Sequence, residues 1–136
     1  MRAVLDANVL ISAVLSPRGS PARLLVAWQA GEFDLVVSPN LLGELRRALT
    51  YPKLARLVPS ADAFSDWIVR SAVLAADPDG PPPAHSVDPG DDYLLALAAA
   101  SRAILVSGDS DLTALAGDFP VRTPADFLAQ LRDQER

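Results

Sequence analysis

Apolar residues along this chain fall alternately into short runs and into arcs with helical spacing. Ala3, Val4 and Leu5 form a run that stops at Asp6 and reads as a short buried strand, and an apolar helix follows over residues 9–15. Three later helices carry a start signal. In Ser20-Pro21, Ser38-Pro39 and Thr123-Pro124 a hydroxyl residue stands where an N-cap belongs, and proline takes the first helical position, where no N–H is needed. Asp126, three residues after Thr123, adds a capping-box signal to the last of them. Residues 33–37, apolar and β-branched at their end, predict a second strand. Ser60 is placed to cap a helix through residue 76, whose apolar face would hold Phe64, Trp67, Ile68, Ala72 and Leu74 or Ala75.

Residues 77–90 form the one proline-rich loop. Residues 91–101 are almost wholly apolar after two leading aspartates and predict a helix buried on most sides. A third strand over 103–106, a short helix from Ser110, a fourth strand over 119–122 and a closing helix from Pro124 complete the chain. Strand and helix thus alternate. The expectation is an α/β fold with a central parallel sheet, right-handed crossovers and functional residues at the carboxyl ends of the strands. No internal repeat or second domain is visible, so residues 1–136 read as one domain, long enough to bury a substantial core.

Composition narrows the chemistry. The chain is 50% hydrophobic and 21% charged, which excludes a disordered chain and leaves apolar surface for self-association. It has no cysteine and a single histidine, His85, so there is no disulfide framework, thiol nucleophile or imidazole cluster, and any metal must be held by oxygen. No stretch approaches the roughly 20 apolar residues that cross a bilayer, and Asp6 and Asn8 interrupt the apolar run behind Arg2 too early for a signal peptide. A cytoplasmic protein with no membrane partner is expected. The net charge of -5 argues against a broad electrostatic grip on nucleic acid, although a local cluster of carboxylates would explain part of it. The basic cluster Arg46, Arg47, Lys53 and Arg56 has two readings, phosphate contacts and an ordinary solvated face.

Four acidic positions carry the candidate chemistry. Asp6, with Asn8 two residues on, emerges where the first strand ends; the alternative for either is a cap on the next helix. Glu44 lies beside the apolar arc of Leu41, Leu42, Leu45, Ala48 and Leu49, past the first turn, where its structural role would be a surface pair with Arg47. Asp91 and Asp92 open the buried helix. A cap accounts for one of them, and taking Asp91 as the cap leaves Asp92 as the functional residue. In Ser107-Gly108-Asp109-Ser110-Asp111 the third strand breaks and offers Asp109 to the edge that carries Asp6, with capping again the alternative. Ser107 would orient a carboxylate or bind phosphate, or satisfy a strand-end amide. Carboxylates this close repel one another unless some hold protons or a divalent cation neutralises them. With no sulfur and no imidazole cluster, the fitting ions are Mg²⁺ and Mn²⁺.

Taken in order, Val4-Leu5-Asp6-Ala7-Asn8-Val9, Ser38-Pro39 with Glu44, Asp92 before Leu95-Ala96-Leu97-Ala98, and Val106-Ser107-Gly108-Asp109-Ser110-Asp111-Leu112 resemble the PIN-domain family, above all its bacterial toxin ribonucleases of the VapC type. The resemblance spans nearly the whole chain. It implies a three-layer α/β/α sandwich around a parallel sheet, often dimeric, that cleaves RNA with Mg²⁺ or Mn²⁺ and is neutralised by a small antitoxin. Asp6, Glu44, Asp92 and Asp109 match the family's acidic positions, Asp111 is a substitute or helper for the last, and Asn8 and Ser107 match its polar supporting positions. Ala7 and Ser107 stand where the family often has a hydroxyl residue or threonine, which bears on the supporting hydrogen bonds.

The expected chemistry is therefore metal-assisted hydrolysis of RNA phosphodiesters, with Asp6, Glu44, Asp92 and Asp109 as catalytic residues and metal ligands. Two rival readings differ in class. A haloacid-dehalogenase-like phosphatase also places an aspartate after its first strand, but Asn8 stands where its general acid belongs and Lys53 is poorly placed for its phosphate-binding lysine. A non-catalytic interaction domain of the same fold would use Trp28 and Trp67 at an interface instead of in the core.

Overall fold

The structure, a computed structural model, describes residues 1–58 and 60–134. Strand β1 (Arg2–Leu5) is buried from Ala3 onward and stops at Asp6, whose extended backbone starts α1 (Ala7–Leu15). Helix α2 (Ser20–Gln29) begins one residue before the expected start. Gly19 is its cap, because the Arg23 amide bonds back to the Gly19 carbonyl at 3.2 Å and so draws Ser20 into the first turn. Strand β2 (Asp34–Val37) leads into α3 (Pro39–Leu49), where Ser38 caps as expected by accepting from the Leu41 amide. A short helix α4 (Pro52–Ala55), absent from the sequence reading, follows.

Ser60 caps α5 (Ala61–Ser71) as expected, but the helix does not reach residue 76. Ala72 turns extended, and Val73–Leu74 form strand β3 alongside β2, with Val36 opposite Val73 and Val37 opposite Leu74. The reason lies in β2: its outer edge needs partners, and the Ala75 amide donates to the Val37 carbonyl at 2.9 Å. A 3-10 turn (Pro89–Asp91) leads into α6 (Asp92–Ser101), then β4 (Ile104–Val106), α7 (Ser110–Thr113), β5 (Val121–Arg122) and α8 (Pro124–Gln134).

The five strands are all parallel, in the order β3-β2-β1-β4-β5, and helices flank the sheet. The expected α/β class is therefore the observed one, with one more strand than expected. From β1 the chain steps twice to one side, to β2 and β3; it then crosses back through α6 and continues on the other side with β4 and β5. The neighbours β1 and β4 thus flank the point where the direction of winding reverses, and there the helices diverge and leave a crevice at the carboxyl edge. Leu5, Leu10, Leu35, Leu97, Leu105 and Phe127 are fully buried and hold the layers together, with Phe33 and Phe127 edge to face at 5.2 Å.

Candidate active site at the carboxyl edge

Asp6 follows β1 and Ser107 follows β4, so the parallel pairing of Leu5 with Val106 sets them side by side across the crevice. Asp6 is only 6% exposed, and both of its oxygens are occupied. One accepts the Val9 amide at 2.8 Å and caps α1; the other accepts the Ser107 hydroxyl. Burial raises the Asp6 pKa above the ordinary carboxylate value, against the pull of those two hydrogen bonds, and the charges of Glu44 and Asp109 raise it further. Capping and a place in the crevice, alternatives in the sequence, coexist in this residue.

The fully buried Ser107 hydroxyl is also the acceptor for the Asp109 amide at 3.0 Å. One oxygen therefore ties the end of β4 to the end of β1 and sets the direction in which the chain leaves the strand. Asp109 then caps α7, its carboxylate accepting the Asp111 amide at 2.9 Å. Asp6, Asn8, Ser12, Gly108 and Asp109 share a cleft of about 490 Å³.

Glu44 enters from α3, in whose middle it lies. Its carboxylate accepts the Tyr93 hydroxyl at 2.6 Å and not the guanidinium of Arg47. Burial, then the bond to Glu44, drives the Tyr93 pKa far above its usual value, so Tyr93 acts only as a donor that holds Glu44 in place. The fourth group is Asp91. It stands at the N-cap position of α6, yet its side chain makes no capping bond. Burial lifts its pKa to about 6, assisted by the charges of Asp88, Asp109, Glu44 and Asp6. Asp6, Glu44, Asp91 and Asp109 thus feel one another electrostatically, although among the described residues no three acidic or histidine side chains already stand at metal-ligand spacing.

Residues 2–111 match the sequence pattern of the PIN domain. This chain belongs to the PIN-domain family. An uncharacterized protein of Methanocaldococcus jannaschii is 25% identical to it over 142 residues, spanning 96% of this chain and 91% of that protein. A chain in the crystal structure of VapBC2 from Rickettsia felis, bound to a DNA fragment from their promoter, has the same fold. It superposes with a TM-score of 0.65 at 13% identity, covering 90% of this chain and 98% of that one.

Within this PIN domain the expected Asp92 stands apart from the acidic group. Its carboxylate accepts from Ser86 N–H at 2.7 Å and pairs with His85 Nδ1 at 2.9 Å, and these bonds, the His85 one first, hold its pKa below the ordinary value. Of the two aspartates it is Asp91 on which the charges of Asp109, Glu44 and Asp6 act, whereas Asp92 is engaged by His85 and Ser86. Asp111 donates its amide to Asp109 and is not among the charges acting on Asp6 or Asp91. Asn8 is exposed on the wall of the cleft. Arg46, Arg47 and Lys53 are exposed and make no ion pair among the described residues; the two arginines occupy the last turn of α3, leading away from the carboxyl edge, where the helix dipole favours cations. Tyr93 went unnoticed in sequence because it continues an apolar helix; the cue was a polar tip one residue behind an acidic pair.

Proposed function

We propose that this PIN domain is a metal-dependent endoribonuclease, the toxin of a toxin–antitoxin pair, and that Asp6, Glu44, Asp91 and Asp109 hold its Mg²⁺ or Mn²⁺. The observation that carries this reading is the Ser107 hydroxyl that joins Asp6, behind β1, to Asp109, behind β4, at the winding reversal of a PIN domain, in an acidic group that Glu44 and Asp91 complete. Such a group is destabilised by its own charge, and a divalent cation relieves it. The donor set is all oxygen, which suits these ions.

When bound, the metal supplies Lewis-acid polarisation of the phosphate and a water acidified for attack. The chain's own residues hold that arrangement in register. Ser107 fixes Asp6 relative to Asp109, Tyr93 steadies Glu44, and Asn8 on the cleft wall offers an amide to a phosphate oxygen or to a ligand water. An antitoxin partner and a homodimer belong to this reading, as does cytoplasmic residence; no helix among the described residues is long and apolar enough to cross a membrane.

The test is incubation of purified protein with mixed RNAs, with Mn²⁺, without it and with a chelator, beside the Asp6→Asn variant. Cleavage that needs the metal and disappears in the variant, while the variant keeps its fold, is the expected result. Undiminished cleavage by Asp6→Asn would sink the assignment.

A further inference from the structure

A second cavity, of about 430 Å³, opens at the opposite, amino end of strand β2. Trp28 and Gln29 from the end of α2, Asp34 from the start of β2, and Trp67 and Ser71 from the end of α5 line it. Three independent features give it one polarity. Both helices finish there, so their C-terminal carbonyls present the negative ends of two helix dipoles. The Asp34 carboxylate adds a negative charge, and among the described residues it makes no ion pair. Among the described residues no lysine, arginine or histidine lines the space.

The third feature is aromatic. Trp28 is only 7% exposed and meets Trp67 edge to face, with centroids 5.3 Å apart at 78°, while Phe64 stacks on Trp67 at 18°. The indole corner is therefore held by packing and cannot fold away. Ring faces attract cations, and a planar, weakly hydrated guanidinium gains from both walls at once: it stacks on indole and forks its N–H groups onto a carboxylate. A compact ammonium ion is more strongly hydrated and lacks the flat face.

We propose that this cavity receives an arginine side chain presented by a partner polypeptide. The space exceeds what a guanidinium fills, leaving room for the arginine stem against the indole edges. The site lies at the far end of β2 from the acidic crevice and does not depend on the nuclease reading.

The experiment follows the two indole N–H resonances by two-dimensional NMR of the intact chain during titration with acetyl-arginine amide. Acetyl-citrulline amide, of the same shape without the charge, and acetyl-lysine amide serve as comparisons. Saturable shifts of both indole signals with the arginine compound alone are expected, together with roughly fivefold or greater weakening in Asp34→Asn, because a charge-assisted fork is lost. Asp34 is exposed, so that variant keeps the fold, and unchanged dispersion of its spectrum verifies this. Absence of shifts, an equal response to citrulline or lysine, or undiminished binding by Asp34→Asn would each overturn the proposal.

Discussion

Two adjacent aspartates at the start of α6 do opposite things, and their pKa values show it: Asp91 is raised to about 6 by burial and by like charges, Asp92 is lowered by His85 and Ser86. The proposed ligand role therefore predicts an asymmetry. Asp91→Asn should cut metal-dependent RNA cleavage by about 100-fold or more, a few kcal/mol of transition-state stabilisation, whereas Asp92→Asn should leave most of it; equal losses in steady-state rates would refute the distinction. The same shift has a stability consequence. A folded-state pKa above the unfolded value means that Asp91 contributes stability fully below about pH 4 and loses it as pH rises through about 6. Metal-free Asp91→Asn should accordingly melt above the wild type at pH 7.5, with the gain vanishing near pH 4 in thermal scans. At this scale the sequence was half legible. It brought out Asp6, Glu44 and Asp109 because each sits at a strand end or beside an apolar arc, but choosing between Asp91 and Asp92 requires the rotation of one helix, which a 3-10 turn ahead of it resets.

Among the elements, those with a buried apolar side declared themselves, and α4 and β3, which bury none of their residues, did not. The alternation that gave β1, β2, β4 and β5 depends on burial; β3 has two residues, Val73 at 37% and Leu74 at 61% exposure, and their spacing continues the apolar face of α5. Nothing local marks the switch, since the deciding bond runs to Val37 on another strand. Helix α6 offers two tests of how elements are held. Leu97 is fully buried against the sheet, so Leu97→Ala should cost about 2–5 kcal/mol in denaturant unfolding. The helix ends at Arg102 in the left-handed region, φ 52°, a conformation that costs an L-residue about 1–2 kcal/mol and glycine almost nothing. After the entropy glycine adds to the unfolded chain, Arg102→Gly should still gain roughly 0.5–1 kcal/mol.

Over the whole molecule, the parallel sheet sorts charge by its two ends. Helices α1, α3, α6 and α7 begin at the carboxyl edge, and their positive dipole ends offset part of the repulsion among Asp6, Glu44, Asp91 and Asp109; Asp6 and Asp109 each cap one of them. The remainder of that repulsion is what a cation would relieve. Saturating Mn²⁺ should thus raise the melting temperature, corresponding to about 2.7 kcal/mol at 100 times the dissociation constant, and the rise should be lost in Asp6→Asn. A calorimetric scan without any Mn²⁺ effect on the wild type would contradict the proposed site.

The loop between β3 and the 3-10 turn is moored at both shores. Asp77 accepts the Asn40 amide at the start of α3, and Asp92 grips His85 and Ser86 from the start of α6. Four prolines, Pro78, Pro81, Pro82 and Pro83, stiffen the span between. In the proposed nuclease, a loop tied this way is a quay and not a drawbridge, in position before the RNA strand arrives. Turnover should therefore be insensitive to added viscogen wherever strand release is fast.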